Sequence, residues 1–172
     1  MPAPTHPRPH SETLANGLRV TLRHVPGLKR SAAALRVAAG SHDVPLAWPG
    51  LAHFLEHLLF LGTERFPTDE GLMAYVQRHG GQVNASTRER TTDFFFELPV
   101  PSFSAGLVRV SDMLARPRMN LDDQLREREV LQAEFIAWSQ DPTAQQQFAL
   151  YEGLPAEHPL RGFHAGNRDS LQ

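Results

Sequence analysis

Two histidines and a glutamate fall within five residues at His53, Glu56 and His57, in the order H-x-x-E-H. On a helix of about 100° per residue, the two histidines lie about 40° apart and about 6 Å along the axis, close enough to share one metal ion. Glu56 lies about 60° from His53 and about 100° from His57. The commoner zinc motif, H-E-x-x-H, holds the same angular set in reverse. Both forms bind zinc through two imidazoles and leave a carboxylate beside the metal to work on its bound water. With nine histidines in the chain, such a run can arise by chance on a surface helix. Its setting argues against that, because it lies in the apolar stretch Leu51 to Leu61, where unpaired polar side chains are costly to bury.

A third candidate ligand lies downstream. Leu121 to Gln140 read as one long helix, with Asp122 and Asp123 in its first turn and Asp141-Pro142 at its end. Its apolar stripe runs through Val130, Leu131, Phe135 and Trp138, and the 100° rule puts Glu127 and Glu134 in the middle of that stripe, with Glu129 pointing away. A carboxylate on a core-facing stripe is rarely left without a cation. Glu134 reads as the third metal ligand. Glu127 reads either as a support of the site or as the partner of an Arg or Lys. A His-His-Glu set is what a catalytic zinc uses, with the fourth position left to water. A structural zinc would usually show four ligands with cysteine among them, and the chain has no cysteine. A Zn2+ so held lowers its water's pKa to about 7, and Glu56 is placed to take the proton. The other histidines, His6, His10, His24, His42, His79, His158 and His164, lack partner spacing and read as surface or loop residues.

Taken together, these motifs resemble the inverzincin zinc metallopeptidases of the pitrilysin and insulysin family, in their N-terminal catalytic domain. The resemblance covers most of the chain, from Asn16-Gly17-Leu18 to Leu171. It rests on H-F-L-E-H-L-L-F-L-G from His53, G-G-Q-V-N-A-S-T from Gly80, E-R-E-V-L-Q-A-E from Glu127 to Glu134, and His158-Pro159 leading to Gly166-Asn167. In that family the third ligand follows the second His by seventy-odd residues; here 134 − 57 = 77. A further Glu stands seven residues before the ligand, and 134 − 7 = 127 is Glu127. The resemblance implies zinc on His53, His57 and Glu134, with Glu56 as general base and Glu127 supporting the site. It implies an extended peptide substrate added to the strand carrying Asn84 and Ala85. For Asn84 a local hydrogen bond to the backbone in a turn is the competing reading. The segments around Asn84 to Pro99 and Leu125 to Trp138 look most like the bacterial peptidases of pyrroloquinoline quinone biosynthesis. Family members pair a catalytic domain of two hundred or more residues with a second homologous half, in the same chain or a partner chain. On that pattern residues 12–172 read as most of one catalytic domain, truncated at its C-terminus. The alternative is a zinc- and peptide-binding domain, or a partner subunit, without turnover of its own.

The elements that must position these residues follow from turn and cap signals. Residues 1–11, with four prolines among the first nine, read as a disordered or extended leader. Leu18 to His24 and Ser31 to Ala39 read as strands, and Pro49 as the start of the motif helix. Thr68 or Asp69 caps a helix to about His79, and Gln82 to Thr87 and Thr91 to Leu98 read as paired strands. Phe94-Phe95-Phe96 suggests burial on both faces. Pro101 to Ala115 and Pro142 to about Gly153 read as helices, and the tail from Pro155 as loop. The sum is an α+β fold, a mostly antiparallel sheet with helices packed on one face. A net charge of −2 gives no electrostatic footprint for nucleic acid. No stretch is apolar enough for a membrane span, and the first ten residues show no apolar signal run. A cytoplasmic setting is the expectation.

Overall fold

The structure, a computed structural model, describes residues 8–172. Most of the expected leader therefore lies outside the described residues, and its last part, from His10, already belongs to the first strand. β1 (His10–Thr13) and β2 (Arg19–Leu22) form an antiparallel hairpin of their own. The main sheet has three strands in the order β3-β5-β4, with β3 at Arg30–Val37, β4 at Gln82–Thr87 and β5 at Thr92–Pro99. Both pairings are antiparallel; Ala33 and Val83 face Phe96, and Ala34 and Asn84 face Phe95. β4 is thus an edge strand.

Alternation along β5 sorts the sheet's two faces. Phe94, Phe96 and Leu98 are buried and pack with Leu72 and Val76 of α2 (Leu72–Arg78), Val110 and Met113 of α3 (Val100–Ala115), and Leu59 of α1 (Leu51–Leu59). Phe95 is 43 % exposed. The Phe-Phe-Phe run is therefore buried on one face only, because the outer face carries ion pairs, Arg36 with Asp93 and Arg30 with Glu97. The Arg36 guanidinium bonded to it holds the Asp93 carboxyl below the usual carboxylate range.

α4 (Leu121–Ser139) packs on α1 through Leu131, which joins Phe54, Leu58 and Leu171 in a second core cluster. Its first turn is closed by Asn120, whose side-chain oxygen accepts from Asp123 N at 2.8 Å. Val130, expected on the buried stripe, is 45 % exposed; the buried contact is narrower than a full stripe and centres on Leu131. α5 (Pro142–Glu152) follows with Asp141 as its cap. A short 3-10 helix at Pro159–Arg161 interrupts the tail.

Two helix starts differ from expectation. α1 begins at Leu51 with Gly50 as its cap, in a left-handed conformation (φ 91°), so Pro49 precedes the cap and is not in the first turn. α2 begins after Gly71, while the Thr68 hydroxyl donates to the Leu61 carbonyl at 2.6 Å and stabilises the turn before it. No helix among the described residues is long and apolar enough to cross a membrane.

Candidate metal centre

α1 and α4 bring the three expected ligand residues together. His53 Nε2 and His57 Nε2 stand 3.2 Å apart. Glu134 Oε2 lies 3.4 Å from His57 Nε2 and 3.9 Å from His53 Nε2. A tetrahedral zinc with bonds of 2.0–2.1 Å needs donors separated by about 3.3–3.4 Å. The donor set therefore fits a zinc ion after closing the His53–Glu134 pair by about half an ångström, with the other two separations already within about 0.2 Å.

The far side of each ring explains why these nitrogens face inward. His57 Nδ1 donates to Glu127 Oε1 at 2.8 Å, and His53 Nδ1 donates to the Ala165 carbonyl at 2.8 Å. A carbonyl and a carboxylate can only accept, so each neutral ring carries its hydrogen on Nδ1 and its lone pair on Nε2. Two lone pairs and a carboxylate oxygen converging at these distances repel one another unless a cation or proton lies between them. This is the arrangement of a metal-binding imidazole whose second nitrogen is held by an acceptor. Glu127 is well covered, at 15 % side-chain exposure, whereas Glu134 is 52 % exposed. Glu134 therefore faces an open site and is not buried on the core stripe that the helix pattern suggested.

Glu56 stands on the same turn of α1, outside the converging set of three. Its Oε2 accepts a hydrogen bond from the Thr87 hydroxyl at the end of β4. Asn84 and Ala85 lie three and two residues earlier on that edge strand. The Asn84 side-chain oxygen accepts from the Ala85 N–H at 2.9 Å, a local bond made within the strand and not in the turn that its competing reading expected. Ala85 packs on the sheet core.

A cleft of about 360 Å³ opens from His53 and Glu134. α4 and α5 line it with Phe135, Trp138, Phe148 and Tyr151, the Trp138 and Phe148 rings meeting edge to face at 4.6 Å. His164 also lines the cleft, and its ring stands 5.2 Å from that of His42, joining the loop after β3 to the tail. Burial pushes the His42 imidazole below its usual range, and His164 adds to the effect.

Three contributors were not foreseen from sequence. Thr87 could have been found, since Val83, Ala85 and Thr87 share the inward face of β4 by alternation. The aromatic side chains of α5 carried a weak signal through their spacing to Trp138. The Ala165 carbonyl carried none, because a backbone acceptor leaves no mark in the residue type.

A sequence profile of the insulinase peptidases (peptidase family M16) matches residues 19–162. The chain is 75 % identical over 154 residues to coenzyme PQQ synthesis protein F of Pseudomonas protegens, covering 90 % of this chain and 19 % of that protein. It is 35 % identical over 159 residues to Protease 3 of Escherichia coli, covering 92 % and 16 %. Among solved structures it superposes on pitrilysin with a TM-score of 0.86 at 32 % identity, over 96 % of this chain and 18 % of that one. The chain thus spans about a fifth of the length of these curated relatives.

Proposed function

Because the chain belongs to the insulinase family of peptidases, family M16, we propose that it carries the metal centre and the proton-transferring carboxylate of a zinc-dependent metalloendopeptidase. The observation that carries this reading is the convergence of His53 Nε2, His57 Nε2 and Glu134 Oε2, each imidazole being held from behind by its own acceptor. His53, His57 and Glu134 would hold the zinc ion, and the chemistry it would supply there is Lewis acidity, polarising a peptide carbonyl and acidifying a water enough for attack near neutral pH.

The chain's own residues supply the rest. Glu56 takes a proton from the attacking water and returns it to the leaving amine nitrogen. Thr87 holds one oxygen of Glu56 and so fixes the direction of the other. An extended peptide adds to the free edge of β4 through the backbone groups of Ala85, whose N–H and carbonyl face away from β5, with the Asn84 side chain beside them. Engaging the Ala85 N–H requires the Asn84 side chain to release it. A substrate side chain then falls into the aromatic cleft between α4 and α5. The relatives named for coenzyme PQQ synthesis favour processing of a peptide in that biosynthesis, with a second homologous half closing over the substrate.

The test is cleavage of a quenched fluorescent peptide by the full-length protein. Cleavage should vanish on chelation, return with zinc, and be absent in Glu56→Gln protein that still holds zinc. Chelator-resistant cleavage, or near-normal turnover by Glu56→Gln, contradicts the reading.

A further inference from the structure

We infer that the tail segment 162–171 is a working part of the metal centre, with the Ala165 backbone carbonyl as the positioning group for His53; the inference rests on the zinc reading proposed above. His57 is oriented by a side chain on α4, but His53 is oriented from 112 residues away, by a main-chain oxygen. That oxygen can hold the ring only if the tail is fixed to about the precision of a hydrogen bond.

Two glycines provide the fixing. Gly50, the cap of α1, and Gly166 both have positive φ, 91° and 79°. A Cβ on Gly50 would lie 2.1 Å from Gly166 Cα and 2.4 Å from its N, and a Cβ on Gly166 would lie 2.9 Å from Leu131 Cδ2. The two backbones touch where any side chain would force them apart, and both need a conformation that favours glycine. The contact sits one residue from Ala165 and three from His53, so a small separation there moves the acceptor off the ring. The tail is held beyond this point too. Asn167 Oδ1 accepts from Ser170 N at 2.8 Å and Asp169 N at 3.1 Å, making the bend. Arg168 N donates to Gln132 Oε1 on α4 at 3.0 Å, and Leu171 is buried against Phe54, Leu58 and Leu131. The tail therefore bridges the cap of α1 to the middle of α4, the two helices that carry the ligands. A tail that merely covered the core would need neither the glycine pair nor the aimed carbonyl.

The experiment measures zinc affinity by chelator competition, and the visible spectrum of the cobalt-substituted site, in full-length protein. Gly166→Ala should bind zinc about 10–100-fold more weakly, as loss of an orienting partner does, with shifted cobalt bands. Nonsense suppression placing glycolic acid at position 166 turns the 165–166 amide into an ester. This adds no atom, weakens only the Ala165 acceptor, and removes an N–H that donates no backbone hydrogen bond among the described residues. It should weaken zinc in the same direction, and it decides the matter alone if Gly166→Ala fails to fold. Gly17→Ala is the control, with the same kind of φ (86°) and open space around it; it should lose stability and keep wild-type zinc affinity. Wild-type affinity and an unchanged cobalt spectrum in the ester protein overturn the inference while leaving the peptidase reading intact. A wild-type protein that takes up no zinc overturns both.

Discussion

His57 and Glu127 are joined across α1 and α4 by a 2.8 Å hydrogen bond from Nδ1 to Oε1, with each side chain only about one-sixth exposed. Glu127 stands seven residues before Glu134, roughly 10 Å along the helix. One helix thus offers a candidate metal donor and, two turns earlier, the acceptor that grips the back of another candidate. Glu127→Gln keeps an acceptor in place but removes its charge. Zinc affinity should fall by about 10–100-fold, measured by chelator competition; an unchanged affinity would return Glu127 to an ordinary ion-pair role.

On the proposed mechanism, the Thr87–Glu56 bond lets proton transfer be tested apart from metal binding. Glu56→Gln should retain zinc and lower kcat by about 10²–10⁴-fold, the usual contribution of a positioned acid–base group. Thr87→Val should leave zinc unaffected and lower kcat by a smaller factor, about tenfold, as expected for one hydrogen bond to a charged group. If Thr87→Val matches wild type in kcat, the hydroxyl does not orient Glu56.

Asp112 gives a prediction for acid stability. The Thr63 hydroxyl, then the Arg116 guanidinium, holds its carboxyl below the ordinary value of 3.8. A depressed folded pKa means that the unfolded chain binds the proton more readily. The contribution is therefore complete above about pH 5 and is lost as the pH falls below 3.8 through the folded value. Asp112→Asn should lower the melting temperature at pH 7 and flatten its fall between pH 5 and pH 3. An acid limb identical to wild type would contradict this.

Much of this was legible in the sequence, and the parts that were not have physical reasons. The strand at Gln82–Thr87 and the helix from Leu121 were readable because alternation and a capped, periodic run are local signals. His53, His57 and Glu134 were readable because ligand chemistry demands particular residue types at particular spacing, and the structure converges their donor atoms. Phe95 misled because a run of three aromatics conceals which face a charged neighbouring strand will claim. The start of α1 misled because Gly50 is selected by contact with Gly166, 116 positions later, and long-range contact has no local signature. The openness of Glu134 was likewise set by what α5 and the tail leave uncovered.

On the proposed reading, in which a second homologous half closes over the substrate, residues 1–172 alone should load zinc yet cleave peptides at least about 100-fold more slowly than the same residues supplied with such a half. Every group placed at the centre lies between Gly50 and Leu171, so the metal site can form. Holding an extended peptide on one strand edge carries an ordering cost that opposing contacts must offset, and half-exposed Glu134 leaves the site wet. Quenched-peptide assays with and without that half, at matched zinc content, decide this. Equal kcat/KM would show that these residues suffice.

The most direct test of the centre itself is elemental analysis of purified wild-type and Glu134→Gln protein after mild chelation and dialysis. The three-donor geometry predicts about one zinc per wild-type chain and loss of most of that zinc from Glu134→Gln, with the fold retained by circular dichroism. Equal zinc in both proteins, or none in the wild type, would contradict the assignment of His53, His57 and Glu134 as one metal site.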